Sequence, residues 1–405
     1  MKKNIIFLVL CLICFCIFFC ISNTKNNDIR TVIKFSSWGS KSETDIIKSF
    51  IGKFEEINPD IKIDFIHIPQ NYFQKIQLLF ASGLEPDVVF INNQNIQMYI
   101  NAGLLEDLTQ YFNNIEEEFY EEALNCFKKE GKIYALPRDI SNLVIYYNKD
   151  IFKQKNVKMP SKIKNIFELR ELAKKVSDTK NFGINFEENP IFWLYYLSSN
   201  GGGIISDDIK KIIIDKPESI EALNLYSDMI NKDRTIPSKA QVGSMTSAQM
   251  FINGKLAMYL SGRWMSPKFR KTINFDWDIT EFPAANKVYI DASGWAVAKK
   301  SKHKKEAVEF IKFLSSKEAE TEFAKEGLIV PANKKSILQE SNEKPRSYIV
   351  FKTMLKNSKP TPVNENYAAI INIVKEKTEN IFNGTKNAND AFNDETIKQM
   401  EELLK

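Results

Sequence analysis

Residues 86–91, "PDVVFI", place four apolar side chains in a row behind a turn-forming Pro-Asp pair. A strand with one face in water alternates polar and apolar residues. An unbroken apolar run suits a strand covered on both faces, as in the parallel sheets of α/β proteins. The residues before it supply the rest of the pattern. "TVIKFSSW" (31–38) reads as a first strand. Ser40 and Glu43 have the spacing of a capping box for the next helix, on which Ile46, Ile47, Phe50, Ile51, Phe54 and Ile57 share one face. "NPD" (58–60) turns the chain, and Ile61, Ile63 and Phe65 alternate with Lys62 and Asp64 in a second strand. A helix around "YFQKIQLLFASG" (72–83) ends at Gly83 and leads into "PDVVFI". This strand–helix–strand–helix–strand order predicts an open α/β sheet.

Further along, residues 115–129 read as an acidic-faced helix. "GKIYALPRDISNLVIYYNKD" (131–150) gives two extended segments around a polar break at 138–141. Ile166, Leu169, Leu172, Ala173 and Val176 mark a helix. "ENPIFWLYYLSSNGGG" (188–203) is an aromatic-rich helix that stops at glycines. In "FINGKLAMYLSGRW" (251–264), "LAMYL" reads as a buried strand. "VYI" (288–290) is a further strand before "DASGWAVAKK" (291–300), a helix spans 304–326, and the C-terminal part is helical.

The chain has 405 residues, 43% of them hydrophobic, which is enough for two or three domains with a large core. The net charge is +5, two units of it from Lys2 and Lys3, so no concentrated basic face for nucleic acid is expected. Lys2 and Lys3 precede an apolar segment, residues 5–21, which reads as an export signal. Residues 1–22 are assigned to the signal and 23–30 to a tether. Three routes are open: lipid attachment at Cys20, cleavage after Ser22, or an uncleaved anchor. Phe19 counts against the first, because a small residue is wanted there. Four of the five cysteines fall in this segment; Cys126 alone remains, so no disulfide is expected within the body.

The sequence holds no nucleophile elbow, phosphate loop, dinucleotide fingerprint or HExxH helix. His67 and His303 are the only histidines and nothing pairs them, so no metal or cofactor is expected. A glycan-active enzyme would need two acids across a cleft, and no spacing argues for such a pair.

A different pattern recurs. Strands end in small or polar residues plus an aromatic: Trp38-Gly39-Ser40-Lys41, Asn92-Asn93-Gln94, Gly262-Arg263-Trp264, and Asp291 with Gly294 and Trp295. Open α/β sheets bind ligands beyond the carboxyl ends of their strands. Amides, an acid and indoles in one crevice suit a neutral polyhydroxylated ligand, whose hydroxyls need hydrogen bonds and whose C–H faces pack on flat rings. The plainer alternatives are that Ser40 only caps its helix, that Gly262 and Gly294 serve backbone geometry, and that Arg138 and Asp139 pair on the surface. Trp277 fits the core, and one of the aromatics around Trp193 must face it.

These pieces resemble the extracellular solute-binding proteins of bacterial ABC importers, the family of the sugar and maltodextrin binders. The matching segments are "FSSWGS", "EEINPDIKI", "FASGLEPDVVFI", "AGLLEDLT", "GKIYALPRDISNLVIYYNKDIF", "FINGKLAMYLSGRW", "SGWAVAKKSKHKKEAVEFIKFLSS" and "GLIVPAN", in the family's order. The resemblance implies a two-lobed, type II periplasmic-binding-protein fold with an interlobe cleft and hinge. One lobe would comprise residues 31–140 and 289–328, the other 141–288 and 329–405. The chain would cross the hinge near 139–142, 287–290 and 327–331. The implied role is a non-enzymatic monomer that closes on a carbohydrate and docks on the permease of an importer, held at the membrane by lipid if Cys20 is modified. Family contacts carried onto this chain are Trp38, Ser40, Lys41, Asn93, Gln94, Arg138, Ser141, Trp264, Gly294 and Trp295, with Trp193 and Tyr367 as second-lobe aromatics. Many sugar binders carry acids where this chain has Asn92, Asn93 and Gln94. Arg138, Arg263 and Lys41 leave room for an anionic ligand such as a sugar phosphate or glycerol phosphate.

Overall fold

The computed structural model describes residues 30–187, 190–283, 288–338 and 343–405. The export segment with Cys20, the tether up to residue 29, and Lys287 at the second expected crossing lie outside the described residues.

β1 (Thr31–Ser37) and β2 (Ile61–His67) pair in parallel in full register, Thr31 against Ile61 and Ser37 against His67. Between them, α1 (Lys41–Ile57) begins at the capping box. Ser40 N–H donates to Glu43 Oε2 at 2.9 Å, and Glu43 N–H donates to Ser40 Oγ at 3.4 Å. α1 buries Ile47, Phe50 and Phe54, while Ile57, expected on that face, is exposed at the helix end. α2 (Tyr72–Ser82) leads to β3 (Val88–Asn92), parallel to β1. All four apolar residues of the "PDVVFI" run are buried, as a strand covered on both faces requires. α3 (Asn93–Asn101) starts directly at the end of β3.

The single helix expected over 115–129 is broken. Helical turns at Ile115–Glu118 and Glu121–Asn125 flank Phe119, which bridges Asn333, and a hairpin of Lys128–Lys129 with Lys132–Ile133 follows. Tyr120 N–H donates to Ala332 O and Lys334 N–H to Glu118 O, so a distant segment competes for this backbone and wins over local helix propensity.

β4 (Leu136–Ser141) and β5 (Leu143–Asn148) are separated by Asn142 alone, yet they belong to different sheets. The polar residues at 138–141 therefore lie within a strand and are not a break. The second sheet adds β6 (Phe182–Asn185), β7 (Leu256–Gly262) and β8 (Trp277–Glu281) in the order β8-β5-β7-β6. Around it pack α4 (Ile166–Val176), α5 (Pro190–Ser199), α6 (Pro217–Asn231), α7 (Ser247–Ile252) and α8 (Ser266–Thr272). The chain then returns to the first sheet through β9 (Val288–Val297). "VYI" and the "DASGWAV" behind it form this one strand. α9 (Lys304–Leu314), α10 (Lys317–Lys325), β10 (Val330–Pro331), β11 (Ser358–Pro360), α11 (Tyr367–Phe382) and α12 (Asp394–Glu402) complete the chain. The first sheet runs β10-β4-β9-β3-β1-β2, with β11 beside the start of β9.

Two hydrophobic cores result. One holds Phe35, Phe90, Trp295, Phe310 and Phe323; the other holds Tyr146, Tyr196, Phe251, Tyr259 and Trp277. Each large side chain taken fully from water contributes roughly 1.5–3 kcal/mol, so each lobe has its own driving force for folding. The sequence changes core between Ile140 and Leu143 and between Tyr289 and Ile290. At β10 it straddles them: Ile329 and Ala332 pack on the first core, Val330 on the second.

Candidate functional site: the hinge-side sheet edges

Strand direction decides which residues reach the line between the lobes. β1 and β3 are parallel, so their carboxyl ends, at Ser37 and Asn92, share one edge of the first sheet. β9 is antiparallel to β3, with Ser293 opposite Asn92 and Trp295 opposite Phe90. The residues of β9 at this edge are therefore the early ones, Asp291 and Ala292. In the second sheet Gly262 at the end of β7 pairs with Leu143, immediately after the first crossing. Both sheets thus turn carboxyl ends toward the hinge.

Trp38 and Trp264 project there, 43% and 38% exposed. Trp38 follows β1 and leans on Phe73 and Phe90, with ring centroids at 6.2 and 5.5 Å. Trp264 sits in a 3₁₀ turn, Arg263–Met265, with Phe192 edge-on at 6.5 Å. Its indole lies on the backbone of Gly262: a Cβ there would fall 1.9 Å from Cζ3. Only glycine leaves room for a ring in that position. Phe73 and Phe192 are partners that the sequence does not single out, because they come from helices remote along the chain.

The other indole of the pattern is a correction. Trp295 is 0% exposed, mid-strand in β9, with Phe35 and Phe90 edge-on at 5.4 and 5.6 Å. It is core because its strand runs on to Val297 instead of ending beside it. Gly294 is likewise a packing residue, since a Cβ would come 2.2 Å from Leu136 O on β4. Trp193 and Tyr367 are also buried, Trp193 edge-on to Phe382 at 6.0 Å and Tyr367 at the start of α11. Trp193 still borders a cavity of about 610 Å³ in the second lobe, shared with Phe186, Tyr226, Met245, Lys375 and Phe382. No local spacing announces it, since its walls come from several distant segments.

The nominated polar groups are largely engaged. Ser40 is the cap of α1, and the exposed Lys41 Nζ meets Asp45 Oδ2 at 2.9 Å. Asn92 caps α3. Asn93 Nδ2 donates to Asp291 Oδ1 at 2.8 Å, and Gln94 Nε2 donates to Asp291 Oδ2 at 2.7 Å. Asn93 Oδ1 accepts from Ala292 N–H at 3.1 Å. Asp291 is buried, and that burial pushes its carboxyl above the ordinary range although the amide donors pull the other way. The half-buried Ser141 lies opposite Asp291 in register.

Arg138 pairs with Asp139, but inside the lobe and not on the surface. Its Nε donates to Asp139 Oδ2 at 2.6 Å, its Nη1 lies 3.7 Å from Glu43 Oε1, and its guanidinium sits over Phe90, Trp295 and Phe323. Burial raises the Asp139 carboxyl against the pull of Arg138, and raises the fully buried Glu320 further. Arg263, which its sequence neighbours leave undetermined, is 1% exposed and faces neither cleft nor solvent. Its Nη2 donates to Ala324 O at 2.9 Å and to Leu338 O at 2.6 Å. Among the described residues, no group of three or more His, Cys, Asp or Glu could hold a metal ion.

The two-lobed fold matches known proteins. An ABC substrate-binding protein from Listeria monocytogenes, solved in complex with cycloalternan, superposes with a TM-score of 0.83 at 27% identity, covering 93% of this chain and 98% of that one. A protein of Brucella abortus (strain 2308) named as a binding protein is 25% identical over 365 residues, 87% of this chain and 88% of its own. The galactooligosaccharide-binding protein of Bacillus subtilis (strain 168) is 23% identical over 340 residues, 80% of this chain and 79% of its own. The model of the bacterial extracellular solute-binding proteins matches residues 49–347, so the chain belongs to that family of binding proteins, which are not enzymes.

Proposed function

We propose that this protein captures a neutral oligosaccharide between its lobes and delivers it to the permease of an ABC importer. The observation that carries this reading is the pair of half-exposed indoles, Trp38 and Trp264, one on the hinge-side edge of each sheet. Flat rings on both sides of a cleft cover the C–H faces of a sugar. Neutrality is supported by the cations that could have held an anion: Arg138 is paired in the core, Arg263 is bonded to carbonyls, and Lys41 meets Asp45. The relatives named for galactooligosaccharides and solved with cycloalternan point the same way.

In this reading the lobes hinge at Asn142, at the junction of Tyr289 and Ile290, and around β10. Ser141, Asn93 and Gln94 shape the floor beside Asp291. The chain is exported, with residues 1–22 as its signal, and Cys20 is a candidate for lipid attachment, which intact-mass analysis of the membrane fraction would test. Titration calorimetry of the full chain against galactooligosaccharides, cycloalternan, maltotriose and glycerol 3-phosphate tests the ligand class. Saturable binding to a neutral oligosaccharide is expected. Binding to glycerol 3-phosphate alone would overturn the reading.

A further inference from the structure

The three residues that end β7 do different jobs. Gly262 makes room for the indole and Trp264 presents it. Arg263, between them, reaches out of its own lobe. Its 3₁₀ turn belongs to the second lobe, but Ala324 is in α10 and packs in the first core. The same Nη2 also donates to Leu338 O, and Leu338 packs in the second core just after the third crossing. The guanidinium plane rests over Phe351, at 5.4 Å from its ring centroid. Phe351 O in turn accepts from Asn142 Nδ2 at 2.7 Å, the one residue between β4 and β5.

We propose that Arg263 is a positioning residue that ties the Trp264 platform to the first lobe, so that the orientation of the indole and the angle between the lobes are set together. Four physical facts support this. Ala324 lies in the last turn of α10, where its carbonyl accepts from Gly327 N–H at 2.8 Å, keeps a second lone pair for Arg263, and carries the negative end of the helix dipole. A cation there gains both hydrogen bond and field. A planar guanidinium can serve two carbonyls while stacked on a ring, which an ammonium matches poorly. Burial lowers the Arg263 pKa to about 10, so the charge persists at neutral pH and the tie is charge-assisted throughout. The Arg263–Met265 turn is short, so a shift of the Arg263 backbone carries Trp264 with it.

The role as a ligand platform rests on the function proposed above, so the decisive measurements are made without ligand. Fluorophores placed at the exposed Leu84 and Phe167 of the full chain by amber suppression report the distance between lobes. The emission of Trp264 is isolated by subtracting spectra recorded in a Trp264→Phe background. Arg263→Met is expected to broaden the lobe-distance distribution and to red-shift the Trp264 emission; Arg263→Lys is expected to give a smaller change of both. Phe269→Leu, a core change in the same lobe, is the stability control and is expected to move neither. If Arg263→Met does not fold, Arg263→Lys carries the test. Unchanged distance and emission in the variant that folds would overturn the proposal, as would equal changes in Phe269→Leu. Binding of maltotriose is then measured separately, with about tenfold weakening expected in Arg263→Met, the size of a charge-assisted bond. Absence of maltotriose binding in the parent chain would count against the ligand class, and the ligand-free readouts would stand unaffected.

Discussion

Ser-Gly-Arg-Trp at 261–264 and Ser-Gly-Trp at 293–295 look alike as sequence, and the molecule uses them in opposite ways. At 261–264 the strand has ended, and the indole folds back over Gly262 with one face in solvent. At 293–295 the strand continues, both sheet faces are covered, and the indole is sealed among Phe35, Phe90 and the Arg138 guanidinium. The difference is strand direction. β9 enters the first sheet antiparallel, so the end of it that meets the hinge is the one that a rule written for parallel strands overlooks. Even the two glycines differ: one yields space to a side chain, the other to a backbone carbonyl.

Substitutions that treat the two motifs alike should separate them, and the largest effect is expected at Trp295. Trp295→Ala should cost about 3–5 kcal/mol of stability through the cavity it leaves, read by chemical denaturation. Trp264→Ala should cost within about 1 kcal/mol in the same experiment, because the ring is half in water already. Gly294→Ala forces a methyl against Leu136 O, which cannot swing aside, and should destabilise by about 1–3 kcal/mol. Gly262→Ala meets the movable Trp264 ring first, so thermal unfolding should shift less than in Gly294→Ala while calorimetric affinity for the oligosaccharide falls. Loss of the ring itself in Trp264→Ala should weaken that binding about tenfold. Equal stability losses for the two tryptophans would break the contrast.

A smaller effect separates the lobes by charge. The first lobe buries Asp139, Asp291 and Glu320, whose carboxyls burial raises, against Arg138 as its buried guanidinium, whereas the second buries Arg263. In the ordinary carboxylate range and above it, the folded chain holds protons that the unfolded chain has released. Stability should therefore fall as pH rises from about 4 toward the raised values, and recover on mild acidification. Exposed acids held low by hydrogen bonds and cations, such as Asp178 at about 2 beside Lys155, act oppositely only at lower pH. Glu320→Gln removes one raised group and should flatten the pH dependence. An unaltered slope in thermal melts between pH 5 and 8, a window spanning roughly neutral and mildly acidic conditions, would remove Glu320 from this account.

Much of the architecture was legible in the sequence because it rests on local, repeating signals. The apolar run at 88–91 announced a central strand, the Ser40–Glu43 spacing announced a helix start, and the order of segments announced an α/β sheet. Segments in family order extended this to two lobes. Exposure of Trp38 and Trp264 was foreseeable because each lies past the end of a strand that could be recognised. The errors share one cause. Trp295 and Gly294 are nominated by position beside small neighbours and by the family resemblance, Arg138 by the resemblance, and the helix over 115–129 by composition. Each is decided far along the chain: β3 and β4 for Trp295 and Gly294, the rings of Phe90, Trp295 and Phe323 for Arg138, Ala332 and Asn333 for Phe119 and Tyr120.

By itself, then, the sequence determined the strand–helix order of residues 31–92, and that their apolar faces must be covered, since periodicity and capping act within a few residues. Only the tertiary structure decided which end of β9 meets the hinge, which indoles stay in solvent, and where each guanidinium finds its acceptors. Those outcomes depend on pairing direction and on partners far along the chain, such as Ala324 and Leu338 for Arg263, and no local pattern encodes them.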